Sequence, residues 1–207
     1  MARITIPLFL SFLYISNIVV AEPIPATMTK FIESSCSVTQ HPAVCVRSLS
    51  LHAASIQNNP VQLAKTALTT SLAKAESTKA FMLKLTNRNL RGLKANELVA
   101  IKTCLDKMGD TVARLSQSVR EIDLMATARG DDLSWHGSNL KTWGSAALSN
   151  EHTCVDGFEG QALDGKIKAS IQAQVLNVAQ LTSNAVTLVQ RFAVVHASPY
   201  LSGAGDY

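Results

Sequence analysis

The clearest hydrophobic pattern along the chain lies between residues 95 and 129. Apolar residues recur there at alternating spacings of three and four, and polar residues fill the positions between them. This spacing places the apolar side chains on one face of a helix. The pattern therefore predicts one long amphipathic helix over residues 95–129, with an apolar seam formed by Leu98, Ile101, Leu105, Met108, Val112, Leu115, Val119 and Ile122.

Three more segments have a helical period. Pro60 suits the first turn of the earliest of them, with Asn59 or Asn58 as its cap. The links between successive segments are short, and short links favour antiparallel neighbours. We therefore expect an all-α fold, an up-down-up-down four-helix bundle over residues 60–196. Its other helices are predicted over residues 60–89, 134–158 and 166–194, with links at residues 90–95, 128–134 and 160–165.

Residues 27–57, before the bundle, are expected to form a helical hairpin from two shorter pieces, Met28–Ser35 and His41–Ala54. Cys36 and Cys45 flank the connection between them. In one continuous helix their Cα atoms would be roughly 13–14 Å apart at about 1.5 Å per residue, whereas a disulfide needs about 7 Å or less. If these two cysteines pair, the chain must therefore turn back between them.

The first 21 residues have the pattern of a secretory signal peptide. Arg3 precedes an apolar run, and Val19 and Ala21 occupy the −3 and −1 positions of a cut after Ala21. The run is short against the roughly 20 residues of a membrane-spanning helix and contains proline and polar residues. We expect removal of residues 1–21, no membrane attachment afterwards, and one domain over residues 22–207 with a loose tail at 198–207.

Cysteine content agrees with export, because an even number of cysteines in an exported chain predicts a disulfide framework. The four are Cys36, Cys45, Cys104 and Cys154. The net charge of +4 includes no cluster of lysine or arginine, so nucleic acid is not an expected partner.

Candidate chemistry is sparse. The five histidines show no helical i, i+4 pair of the kind that binds zinc, and neither a glycine-rich phosphate loop nor a Gly-x-Ser-x-Gly turn occurs. We expect no catalytic residue, no metal and no cofactor. Outward polar positions of the 95–129 helix are better candidates for contacts with a partner protein, because exposed charges contribute electrostatic complementarity. They are Lys102, Asp106, Asp110, Arg114 and Gln117.

The stretch Trp143–Phe158, which reads WGSAALSNEHTCVDGF, resembles the Trp-x-Ser-Ala-Ala-Leu-Thr-Asn…Thr-Cys-x-Asp-Gly-Phe signature of plant pectin methylesterase inhibitors, in the invertase/pectin methylesterase inhibitor family. The resemblance extends over about residues 27–192. Further segments similar to the family are Cys36–Cys45, Ala100–Cys104 and Leu181–Ala185.

This resemblance implies disulfides Cys36–Cys45 and Cys104–Cys154, the second tying two bundle helices together and the first closing the N-terminal hairpin. It implies secretion to the cell wall, the apoplast. It also implies that pectin methylesterase is the protein partner, bound 1:1, with helices of the bundle covering the pectin-binding cleft. A monomer is expected.

Three alternatives remain. An inhibitor of cell-wall or vacuolar invertase is the sister activity on this scaffold, although the Pro-Lys-Phe triplet of invertase inhibitors is absent here. A second alternative is the pro-region of a pectin methylesterase. A third is a helical bundle that binds a small apolar ligand, which the alanine-rich seams disfavour because they predict a tightly packed core.

Overall fold

The computed structural model describes residues 26–89, 93–158 and 165–197. These ranges are helical and contain no strand. None of their helices is both long enough and apolar enough to span a membrane. The predicted signal peptide and the predicted C-terminal tail lie outside the described residues. The helices are α1 (Ala26–Cys36), α2 (Pro42–Ser50), α3 (Ala53–Ile56), α4 (Pro60–Asn89), α5 (Ala95–Thr127), α6 (Gly130–Asp156) and α7 (Lys166–Ala197).

Helices α4 to α7 form the predicted four-helix bundle. Helix α4 packs against α5 and α7, and α6 packs against the same two helices, so consecutive helices are neighbours. The apolar seam of α5 consists of two rows in which residues recur every seven positions. One row is fully buried and faces the bundle core, whereas the other is half-buried and lies beside it. The fully buried row consists of Ile101, Met108, Leu115 and Ile122.

The start of α6 differs from the prediction. The helix begins at Gly130 rather than near Ser134, and only residues 128–129 separate it from α5. Asp131 and Asp132 occupy the first turn of α6. Carboxylates there interact favourably with the positive end of the helix dipole, so these polar residues extend the helix instead of forming a loop.

The second piece of the hairpin is also different, because His41–Ala54 is not one helix. Helix α2 ends at Ser50, and α3 is a separate short turn. After α3, Gln57 and Asn58 have positive φ angles of 48° and 59°. The chain then reaches Asn59, whose Oδ1 accepts hydrogen bonds from the backbone N–H groups of residues 61 and 62 at 2.9 and 3.2 Å. Of the two caps predicted for α4, Asn58 and Asn59, the structure shows Asn59 in this role.

Two disulfides join the helices in the pairing that the family resemblance implies. Cys36 at the end of α1 bonds to Cys45 in α2, with Cα atoms 5.6 Å apart. Cys104 in α5 bonds to Cys154 in α6, with Cα atoms 4.4 Å apart. The first bond closes the hairpin, and the second fixes two neighbouring helices of the bundle.

Candidate partner-binding surface

The polar residues predicted to contact a partner form a stripe along α5. Lys102, Asp106, Asp110 and Arg114 are exposed, and Gln117 is half-buried. At about 1.5 Å per residue, the stripe from Lys102 to Gln117 is roughly 22 Å long. Its length and exposure suit contact with a macromolecule.

The structure brings three of these residues into one groove. Lys102, Asp106 and Asp110 line a depression of about 450 Å³ between α5 and α4, together with Lys79 and Leu83. The side chain of Lys79 lies over Gly109: a Cβ added to Gly109 would be 3.2 Å from Nζ of Lys79. The groove therefore combines carboxylates, ammonium groups and an exposed leucine within a small area.

Arg114 and Gln117 lie further along the same helix and do not line this groove. Arg114 Nη1 donates a hydrogen bond to Gln117 Oε1 at 3.1 Å. This bond holds both side chains along the helix surface. The predicted set is thus divided into a groove cluster and a hydrogen-bonded pair.

Sequence reasoning missed how the N-terminal hairpin is attached to the bundle. Asn184 on α7 is only 2% exposed. Its Oδ1 accepts from the backbone N–H of His41 at 3.0 Å, and its Nδ2 donates to the His41 carbonyl at 2.9 Å. Next to it, Ser183 Oγ donates to Gln40 Oε1 at 2.9 Å. The turn of the hairpin is therefore fixed on α7 by side chains.

A buried polar layer inside the bundle was also missed. Glu151 on α6 is 0% exposed, and its Oε1 accepts a hydrogen bond from Thr182 Oγ1 at 2.8 Å. The hydroxyls of Thr182 and Ser71 are hydrogen-bonded at 2.7 Å, which extends the layer from α6 through α7 to α4. Among the described residues, Glu151 Oε2 has no hydrogen-bond partner.

This environment changes the acidity of the glutamate. Burial raises the pKa of Glu151 from 4.5 to about 8, and the hydrogen bond from Thr182 opposes part of that rise. A buried carboxyl with one unpartnered oxygen is more stable neutral than ionised. Glu151 is therefore protonated at acidic pH in the folded protein.

Helices α6 and α7 approach closely next to this layer. Gly144 is buried, and a Cβ added there would overlap Cγ2 of Val186 on α7. A glycine at this position therefore permits the close approach.

The signals for these missed residues were weak. Glu151 and Thr182–Asn184 are polar residues within segments that the sequence predicts as helices. A hydropathy pattern alone cannot distinguish a buried polar residue from an exposed one. Within the described ranges, no group of three or more histidine, cysteine or acidic side chains is arranged to hold a metal ion.

A disulfide-closed hairpin hydrogen-bonded to a four-helix bundle defines a class of disulfide-linked, all-helical proteins. The model of the plant invertase/pectin methylesterase inhibitor family matches residues 30–188. The chain belongs to that family, as the Trp143–Phe158 resemblance predicted.

Several known proteins are similar to the chain. The "21 kDa protein" of Daucus carota is 45% identical over 86% of this chain and 92% of its own length. Pectinesterase inhibitor 9 of Arabidopsis thaliana is 46% identical over 84% of this chain and 85% of its own length. A crystal structure of mutant form A of a pectin methylesterase inhibitor from Arabidopsis aligns with a TM-score of 0.59 at 20% identity, covering 76% of this chain and 94% of that one. This structural likeness confirms the predicted fold.

Proposed function

We propose that this protein is a secreted inhibitor of pectin methylesterase that binds the enzyme 1:1 as a monomer and covers its substrate cleft. The main support is its 44–46% identity, over about four-fifths of the chain, to two proteins named pectinesterase inhibitors. The pattern of residues 1–21 supports secretion, and the cell wall as destination rests on the family.

A rigid scaffold suits this role because association costs less free energy when little of the binding surface must be ordered. Two disulfides and the Asn184 hydrogen bonds limit the motion of the hairpin and of the α5–α6 pair. The inhibitor then needs a fitted surface and no catalytic group of its own. We place that surface on the stripe from Lys102 to Gln117, whose exposed charges can steer and orient the enzyme.

The function is tested by titrating the purified protein, in parallel, against pectin methylesterase and acid invertase. The titrations cover about pH 5 to pH 7, the range in which histidine charges change. We expect loss of pectin methylesterase activity with a break at equimolar inhibitor, and full invertase activity. Inhibition of invertase alone would refute the proposal, and a complex of another composition by light scattering would refute the 1:1 stoichiometry.

The surface is tested by reversing two charges, in the variant Asp106→Lys/Asp110→Lys. We expect roughly tenfold weaker inhibition with an altered salt dependence, because rim charges act mainly on the association rate. Glu33→Lys is the control, since Glu33 is exposed on α1, which packs mainly against α2, α3 and α7. Equal potency of both variants and the parent would place the contact surface elsewhere.

The hairpin is tested by removing its disulfide, in Cys36→Ala/Cys45→Ala. The loop-entropy relation predicts a loss of stability of at most about 2.7 kcal/mol for this short loop. We expect a loss of inhibitory potency under conditions where circular dichroism still shows a folded bundle. Full potency of the folded variant would show that the bond does not preorganise the binding surface.

A further inference from the structure

A second groove runs along the opposite pair of bundle helices, between α6 and α7. Its first part, about 520 Å³, lies where the hairpin turn meets both helices. Its second part, about 540 Å³, lies toward the beginning of α6. Gln190 lines both parts, so they adjoin at this side chain. From Leu176 to Val194 on α7 the groove extends about 27 Å at 1.5 Å per residue.

The charge of this groove is one-sided. Among the described residues that line it there is no aspartate or glutamate, although the chain has 15 acidic residues. The titratable side chains in the lining are Lys141, His41 and His152. His152 and Lys141 are exposed and His41 is half-buried. Such a groove favours an anionic ligand over a cationic one.

The neutral part of the lining indicates what kind of anion fits. Amide and hydroxyl groups are distributed along the groove, including Gln40, Gln180 and Gln190. Amides and hydroxyls beside short aliphatic side chains suit the hydroxyl groups and C–H faces of a sugar chain, because amides and hydroxyls both donate and accept hydrogen bonds.

We propose that the α6–α7 groove binds an extended polyuronate, with its carboxylates near His41, His152 and Lys141. The choice of uronate rests on the proposed function, because a pectin methylesterase hydrolyses the methyl esters of a uronate polymer with water, which releases methanol and leaves carboxylates. The inhibitor then holds the product polymer on a face distinct from the α5 stripe.

The groups around the histidines are compatible with this assignment. On α6, Glu151 precedes His152 but is buried in the bundle, and Asp156 lies one turn further on without lining the groove. From α7, the lining near His152 consists of aliphatic, amide and hydroxyl groups. From the hairpin, Gln40 and His41 face the groove. No carboxylate in the described lining competes with the ligand for the histidines.

The test is direct calorimetric titration of the protein alone, without enzyme. The probe is a set of fully de-esterified uronate oligomers from pectin, long enough to span about 27 Å. We expect binding that weakens roughly threefold to tenfold as the salt concentration is raised, because salt screens the attraction between exposed charges. The same oligomers carrying methyl esters should bind more weakly.

Variants locate the site. His152→Gln and Lys141→Gln should each weaken binding roughly twofold to fivefold, as expected for exposed ion pairs. Lys84→Gln, an exposed lysine on α4, is the matched control and should bind like the parent. No binding of the oligomers, equal binding of the esterified form, equal loss in Lys84→Gln, or equally tight binding of polyglutamate would each overturn the proposal. Because no enzyme is present, a failure here is distinct from a failure of enzyme inhibition.

Discussion

The buried carboxyl of Glu151, whose Oε2 has no hydrogen-bond partner among the described residues, leads to a specific prediction about the pH dependence of stability. The pKa of Glu151 is raised by burial to about 8 in the folded protein, whereas an exposed glutamate in the unfolded chain titrates near its ordinary value of 4.5. Between these two values the folded protein holds a proton that the unfolded chain releases. Raising the pH through this window therefore favours unfolding, and the stabilisation by the protonated group is lost as the pH approaches 8.

The expected magnitude follows from proton linkage. One proton of difference changes the free energy of unfolding by about 1.4 kcal/mol per pH unit. From about pH 5 to about pH 7, the contribution of Glu151 should therefore decrease by roughly 2–3 kcal/mol. Folded domains have total stabilities of about 5–15 kcal/mol, so this loss is readily measurable.

The perturbation is Glu151→Gln, which keeps the size of the side chain and removes its titration. The new amide group also needs hydrogen-bond partners, which costs about 1–3 kcal/mol at every pH if it finds none. The quantity of interest is therefore the pH slope and not stability at one pH. We expect the slope to become shallower by about 1 kcal/mol or more per pH unit between about pH 5 and pH 7.

The assay is urea denaturation followed by circular dichroism at several pH values, with both disulfides kept intact. Glu76→Gln is the matched control, because Glu76 is exposed on α4 and should leave the parent slope unchanged. If Glu151→Gln and the parent have equal slopes, or if the control flattens the slope as much, the reasoning about burial is refuted.

Two further substitutions test the packing. Gly144→Ala should destabilise the protein by about 1–3 kcal/mol in thermal melts, because its Cβ overlaps a side chain of α7. Gly137→Ala on the same helix should be neutral or stabilising by up to about 1 kcal/mol, since the added Cβ would contact its neighbours at ordinary distances. Equal melting temperatures of the two variants would contradict the close approach of α6 and α7 at Gly144. Asn184→Ala should cost about 1–3 kcal/mol and speed hydrogen exchange at His41, whereas unchanged exchange there would show that the turn is held by other contacts.

Much of the bundle was predictable because its apolar rows have a regular period. The alternating spacing of three and four predicted the apolar seam of α5, of which the structure buries Ile101, Met108, Leu115 and Ile122 completely. Helix ends were less predictable where two physical effects compete. Asp131 and Asp132 are typical of a polar link between helices, but in the first turn of a helix the same carboxylates stabilise the helix through its dipole.

The candidate surface was only partly predictable. Exposure of Lys102, Asp106 and Asp110 followed from their place opposite the apolar seam. The proximity of these three residues to Lys79 and Leu83 depends on how α4 and α5 are aligned along their axes. The hydrophobic pattern within either helix does not determine that alignment. The α6–α7 groove could not be predicted for the same reason, because three separate segments of the chain line it.

The triplet Thr182–Asn184 shows why some partners cannot be assigned from sequence. Residues 181–185 are all buried, although successive side chains of a helix point in different directions, so α7 has packing partners on several sides at this turn. Each polar member therefore needs its own partner. Thr182 contacts Glu151 and Ser71 inside the bundle, while Ser183 and Asn184 hold the hairpin turn, and these partners are 31 to 143 residues away in the chain. A local pattern can predict that polar groups in such a turn must be satisfied, but only the packed arrangement of α4, α6 and the hairpin determines by which residues.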